Sequence, residues 1–216
     1  MINTVIFDLD GLLIDSEIIS YHIYNDLVGR YGHTLSVEEY ARTYSGKTAV
    51  KNMTTIIENF KIPLSLEGGL AYADERERYY FAKGVPLKKG AAQLLKDLKD
   101  NDYQILLASS SYKERAENVL DQNDILDYFD DMVYGPEIEH GKPAPDIFLK
   151  AVEKAGEPAD NCLVLEDSEA GVEAAYSAGI RVICVPDMKT PGDAFVAMTW
   201  HMLESLDEVM PLLKNQ

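Results

Sequence analysis

Apolar residues fall into two kinds of pattern along this chain. Residues 4–9 (TVIFDL) form a short apolar run that ends in acidic side chains, as a strand buried on both faces does. From residue 16 to about 82 the periodicity is helical throughout. A first helix is predicted over 16–31, stopping at Gly32. Ser36 and Glu39 form a capping box ahead of a short second helix. Residues 48–60 give a third helix, closed off by Pro63, and 65–82 a fourth, weakened by Gly68-Gly69. From Gly84 onward the pattern alternates: helix 91–101, strand 104–108, helix 113–122, strand 132–134, helix 145–155 with Pro145 at its start, strand 162–165, helix 168–178 ended by Gly179, and strand 181–185. Alternation of this kind implies parallel βαβ units and an open sheet with helices on both faces. The expected fold is therefore α/β, a doubly wound parallel sheet with an inserted helical cap. The core is expected over 1–15 plus 84–216 and the cap over 16–83. A sheet of that kind places its site at the carboxyl ends of the strands.

The length of 216 residues suits one sizeable domain with a smaller insert. Hydrophobic residues at 46% and charged residues at 26% are the balance of an ordinary globular protein, which excludes a disordered or collagen-like chain. A formal net charge of −17 changes the picture more. A field so negative repels phosphate backbones and anionic lipid, so neither nucleic acid nor a membrane surface is an expected partner. An anionic substrate would need local cations, metal ions or backbone N–H groups to hold it. No apolar run exceeds about five residues, far short of a bilayer span. Residues 1–4 lack a basic stretch and lead straight to Asp8 and Asp10, so no secretory leader is expected. Cys162 and Cys184, the only cysteines, sit in strand-like runs and are expected as buried thiols of a cytoplasmic protein. A disulfide or metal pair is the alternative.

The candidate chemistry lies at the predicted strand ends. The first strand ends in Asp8 and Asp10, and the strand at 162–165 runs into Glu166 and Asp167. In a parallel sheet these ends share one edge. Carboxylates gathered there repel each other unless a cation neutralises them, and hard oxygen ligands with room for water suit Mg²⁺. Taken singly, such acids also serve as solvated or helix-capping residues. Two more strand ends suit an anion. Ser109-Ser110-Ser111 stand just before a helix, where they read as phosphate-binding groups or as simple N-caps. Lys142 is framed by Gly141 and Pro143, an unusual setting for a merely solvated lysine, although a surface role stays open.

FDLDGLLIDSE, ASSS, HGKPAPDIF and VLEDSEAG, in that order and spacing, resemble the four motifs of the haloacid dehalogenase-like hydrolase superfamily. The resemblance covers residues 2–186. The helical insert directly after the first motif is similar to the small cap of the phosphatase and β-phosphoglucomutase-like branch. Asp10, the second acid of the first motif, is lacking in dehalogenases, and its presence points to phosphoryl transfer. The resemblance implies a Rossmann-like core and a Mg²⁺-dependent phosphatase acting on a small phosphorylated metabolite through an aspartyl phosphate. In that reading Asp8 is the nucleophile and Asp10 the general acid and base. Asp8, the Asp10 carbonyl and Asp167 hold Mg²⁺, with Glu166 bound directly or through water. The phosphoryl group lies among Asp8, Leu9, Asp10, Ser109, Ser110 and Lys142. A monomer is expected.

Two alternatives accompany this reading. A phosphoglucomutase of the same branch carries His where Ser20 stands and Arg where Ala49 stands; both are missing here, which favours hydrolysis. A non-catalytic binding module on the same fold would be expected to have lost Asp8 or Lys142, and both are present. Glu17, His22 and Lys47 are the cap residues that stand as substrate candidates, each with a solvated or core role as the alternative. Tyr79, Tyr80 and Phe81 read as the packing surface of the cap.

Overall fold

The computed structural model describes residues 1–214. The elements are β1 (Thr4–Phe7), α1 (Glu17–Gly29), α2 (Val37–Thr43), α3 (Ala49–Phe60), α4 (Leu66–Phe81), α5 (Ala91–Asp100), β2 (Gln104–Ser109), α6 (Lys113–Gln122), β3 (Asp131–Tyr134), α7 (Asp146–Ala155), β4 (Cys162–Glu166), α8 (Glu169–Ser177), β5 (Arg181–Cys184), α9 (Asp193–Val196), β6 (His201–Met202) and α10 (Val209–Leu213). The strands form one parallel sheet in the order β3-β2-β1-β4-β5-β6. The fold is the α/β, doubly wound, Rossmann-like arrangement expected from the alternation. Connections run one way from β1 through β2 to β3 and the other way from β4 to β6, so β1 and β4 flank the switch point, where such sheets open a crevice.

Register sets the two apolar faces. Ile6 lies opposite Leu106 on one side and Val164 on the other, and all three are fully buried. They pack with Ile147, Phe148 and Ala151 of α7 and with Val172 and Ala175 of α8. Val5, Phe7, Leu107 and Leu165 point to the opposite face, where α5 with its buried Leu94, Leu95 and Leu98 lies against β2. Burial on both faces explains why the strands read as unbroken apolar runs rather than alternating ones. Cys162 and Cys184 are buried free thiols in β4 and β5.

The described chain falls into two compact units, Met1–Asp15 together with the segment from Pro86 onward, and Ser16–Val85. The second contains α1 to α4. Ser36, Thr48 and Ser65 cap α2, α3 and α4, each side chain accepting a hydrogen bond from the backbone N–H three residues on. The fourth helix is not interrupted at Gly68-Gly69; Gly69 is buried against Met53 of α3. Two strands are longer than their apolar runs, β2 reaching Ser109 and β4 reaching Glu166, so functional side chains end the strands themselves. Strand β6, of two half-buried residues, carries no apolar run and was not expected. Among the described residues no helix is long and apolar enough to cross a membrane.

Ile6 is the central test of this packing. Ile6→Ala should lower stability by roughly 2–5 kcal/mol, the range for truncating a buried isoleucine. Urea unfolding followed by fluorescence of Trp200, the single tryptophan, reads the same unit, because the Trp200 N–H donates to Val182 O at 2.7 Å. A loss below about 1 kcal/mol would show that the sheet closes over the missing methyls.

Candidate active site

β1 ends at Phe7, but the Asp8 N–H still donates to Leu165 O at 3.0 Å, so Asp8 leaves the sheet beside the end of β4. The chain then turns sharply. Leu9 O accepts from the N–H groups of Leu13 and Ile14, and Gly11 adopts φ +85°, a left-handed conformation that favours glycine. The turn leaves Asp8 buried, with Lys142 Nζ 2.5 Å from its Oδ1. The same ammonium lies 2.6 Å from Glu166 Oε1 and 3.3 Å from Ala108 O, and its side chain is 8% exposed. Lys142 is thus a buried cation shared by two carboxylates, not a surface lysine.

Glu166, the last residue of β4, is held from several directions. Its Oε2 accepts from the N–H of Asp167 at 2.9 Å, the N–H of Ser168 at 3.0 Å and the Ser168 hydroxyl at 3.0 Å. A Cβ on Gly171 would lie 1.8 Å from the Glu166 carboxyl, so the glycine that ends the fourth motif is the space in which this carboxylate sits. Burial opposes the charge on Glu166, but Lys142 and the Ser168 donors outweigh it and hold the carboxyl below its ordinary range. Burial pushes Asp8 the other way, up to about 7, with Lys142 opposing the rise and Glu166 adding to it. Asp167 is raised well above the usual carboxylate range, first by burial and then by the charges of Glu166 and Asp8. For Lys142 burial disfavours the charge, yet Asp8 and Glu166 together raise its affinity for the proton.

Asp8, Glu166 and Asp167 each offer a carboxylate oxygen, and the three lie within 4.8 Å of one another. Three carboxylates around one ammonium leave an excess of two negative charges. The donor set is hard oxygen, so the residues fit a divalent cation such as Mg²⁺. Both oxygens of Glu166 already accept hydrogen bonds from the protein. Glu166 is the most heavily hydrogen-bonded of the three, since Lys142 takes only one oxygen of Asp8.

The Asp10 side chain has partners of its own. Arg115 grips it bidentately, at 2.9 Å to Oδ2 and 2.8 Å to Oδ1, and the Ser111 hydroxyl donates to Oδ2 at 2.9 Å. Ser109, the last residue of β2, is buried, and its Oγ accepts from the Ser111 N–H at 3.1 Å. Ser110 is exposed. None of the three serines caps α6, whose N-cap is Tyr112. Arg115 was not anticipated from the sequence. Its signal is a cation in the first turn of α6, where the helix dipole disfavours positive charge unless an anion faces it. Asp187, beyond the end of β5, was also missed; Lys88 Nζ lies 2.5 Å from its Oδ1.

The cap candidates are engaged within their own unit. Glu17 accepts from the Tyr40 hydroxyl at 3.0 Å. His22 is exposed and stacks on Tyr80, with ring centroids 6.3 Å apart. Lys47 is exposed and bonds to Thr43 O. Of the aromatic trio, Phe81 is buried while Tyr79 is exposed, so it is not one packing surface.

The family model for haloacid dehalogenase-like hydrolases matches residues 5–185. The chain belongs to the haloacid dehalogenase-like hydrolase family. It is 31% identical over 212 residues to a phosphorylated carbohydrates phosphatase of Thermotoga maritima, covering 98% of both chains. A Drosophila melanogaster protein named after pseudouridine-5'-phosphatase is 34% identical, over 95% of this chain and 90% of its own. The solved β-phosphoglucomutase of Clostridium difficile is 26% identical with a TM-score of 0.76, covering 100% of this chain and 96% of its own. The enzyme class that this membership carries is phosphoric monoester hydrolase.

The buried acids make metal binding and pH interdependent. Asp8 has an ordinary value of 3.8 and is raised to about 7 in the fold. Between those values the folded chain holds a proton that the unfolded chain has released, so stability falls as pH rises from about 4 to about 7. The metal-free protein should therefore lose thermal stability over that window. Added Mg²⁺ should raise Tm more at pH 7.5 than at pH 5, because it competes with protons for the same oxygens. Melting curves with EDTA or with Mg²⁺ at both pH values check this, and an equal Mg²⁺ shift at the two would contradict it.

Proposed function

We propose that this enzyme is a Mg²⁺-dependent phosphatase that hydrolyses a small phosphomonoester, a sugar or nucleoside phosphate, through an aspartyl phosphate on Asp8. The observation that carries the reading is the Asp8 carboxylate, buried, oriented by Lys142 at 2.5 Å and set beside Glu166 and Asp167. The relatives named above as phosphatases support it. Held by Asp8, the Asp10 carbonyl and Asp167, with Glu166 bound directly or through water, Mg²⁺ would supply positive charge against the phosphoryl oxygens.

The chain's own groups do the rest. An Asp8 oxygen attacks phosphorus as the bond to the leaving oxygen breaks. Lys142, fully charged and buried, offsets the repulsion between a carboxylate and a phosphate anion and stabilises the charge spread over the equatorial oxygens. The Ser109 hydroxyl accepts from the Ser111 N–H, which leaves its own hydrogen to be donated to a phosphoryl oxygen. Asp10 gives a proton to the leaving oxygen, then takes one from the water that cleaves the Asp8–phosphorus bond and releases inorganic phosphate. In the structure both Asp10 oxygens accept from Arg115 or Ser111, which is the pairing of its base form. The core groups address only the phosphoryl centre. Choice of leaving group therefore falls to the helical unit, for which Glu17, His22 and Lys47 remain the candidates.

A phosphosugar mutase is the competing reading, and the β-phosphoglucomutase likeness keeps it in view. Ser20 and Ala49 stand where that resemblance expects His and Arg. Ala49 opens α3 and is exposed, and offers no group to a second phosphate.

Asp8→Asn should abolish turnover, because an amide is a poor nucleophile. Asp10→Asn should slow hydrolysis by about 10²–10⁴-fold on a sugar phosphate and by less on p-nitrophenyl phosphate, whose leaving group needs no proton. Steady-state rates on the two substrates check this, and equal losses on both would count against Asp10 as the acid. With β-glucose 1-phosphate, Mg²⁺ and a trace of the 1,6-bisphosphate, free phosphate should form faster than glucose 6-phosphate. The reverse order would make the enzyme a mutase.

A further inference from the structure

We propose that Asp187 is an outer carboxylate of the metal centre, accepting a hydrogen bond from a water in the shell of the bound cation. This rests on the Mg²⁺ reading given above. Asp187 lies three residues past the end of β5, at the same edge of the sheet as Asp8 and Asp167. Its side chain is only 7% exposed. Lys88 accounts for one oxygen, Oδ1, at 2.5 Å. The other, Oδ2, is buried and has no hydrogen-bond partner in the protein. An unpaired buried carboxylate oxygen is costly, and in native proteins such an atom commonly marks a water or an ion.

The position of Oδ2 puts it next to the acidic trio. A Cβ placed on Gly11 would lie 2.4 Å from Asp167 Oδ2 and 3.3 Å from Asp187 Oδ2. Both oxygens therefore lie within 3.3 Å of one point beside the turn that follows Asp8. Asp187 stands outside the trio of acids whose oxygens lie within 4.8 Å of one another, so it is placed to act through a water and not as a direct ligand. Mg²⁺ gives up its waters reluctantly and usually keeps several in a protein site. Each needs an acceptor for its hydrogens, and outer partners of this kind orient the shell and tune affinity. Lys88 sets how much charge Asp187 shows to that shell.

Titration calorimetry with Mg²⁺ alone tests the assignment on the intact chain. Asp187→Asn keeps the shape and removes the charge, and should weaken Mg²⁺ binding by about 10–100-fold. Lys88→Met exposes the centre to the full charge of Asp187 and should tighten Mg²⁺ binding several-fold while lowering the Tm of the metal-free protein. A salt bridge of purely structural importance would lower Tm in both variants and leave the Mg²⁺ Kd unchanged, which overturns the inference. Should Asp187→Asn fail to fold, the Lys88→Met arm decides: an unchanged or weaker Kd overturns the proposal. Wild-type protein that binds no Mg²⁺ would bring down the metal-dependent reading and this inference together. Wild-type binding with Asp187→Asn unaltered brings down this inference alone.

Discussion

Negative charge buried at the carboxyl edge of the sheet is the constraint from which the rest follows. Asp8, Glu166 and Asp167 converge there because β1 and β4 are neighbours in register, Phe7 opposite Leu165. Two like charges about 4 Å apart repel by roughly 4 kcal/mol at the effective dielectric of a protein surface, and burial adds to that. Lys142 relieves part of it by lying between Asp8 and Glu166. The remainder appears as raised proton affinity at Asp8 and Asp167, the two carboxyls that Glu166's network leaves least compensated. In the proposed function, metal, proton and phosphoryl chemistry draw on the same imbalance.

The backbone around the acids serves that arrangement. Glu166 keeps its charge because Lys142 lies against it, the residues leading into α8 turn two N–H groups and a hydroxyl onto it, and Gly171 leaves it room. Gly11, in its left-handed conformation, turns the chain away before a side chain can fill the space beside Asp167. A protein with net charge −17 thus holds its cationic groups, Lys142, Arg115 and Lys88, each directly against an acid at this edge. The acids at this edge still outnumber those cations, so in the proposed reaction a phosphate ester depends on a bound divalent cation as well as on Lys142.

The fold was legible where one face or both faces of an element are buried. The runs at β1, β2, β4 and β5 are short, apolar and closed by polar residues, so their places and order could be read directly. Strand β6 escaped because two half-buried residues make no run. At the site, groups that end strands were visible as acids, serines and a framed lysine. Arg115 and Asp187 were not, because each is defined by a partner distant in sequence: Asp10 in the first strand-end turn, and Lys88 just past the second crossing between the units. The role of Glu166 was equally hidden. Sequence spacing shows that it adjoins Asp167, but only the structure shows the hydrogen bonds that both its oxygens accept.

The pairing of Asp10 with Arg115 bears on how the two half-reactions of the proposed mechanism would share one carboxyl. Donation to a leaving group needs Asp10 protonated, and activation of water needs it ionised. A bidentate guanidinium stabilises the ionised form, so the arrangement seen here matches the state that precedes water attack. For the first half-reaction Asp10 must exchange Arg115 for the substrate's leaving oxygen. Ser111 sits between the two, its hydroxyl donating to Asp10 and accepting from Arg115 at 2.6 Å, so that exchange loosens both bonds together. In the proposed mechanism Arg115 therefore favours the ionised Asp10 that any second half-reaction needs, whether the acceptor is water or a sugar hydroxyl.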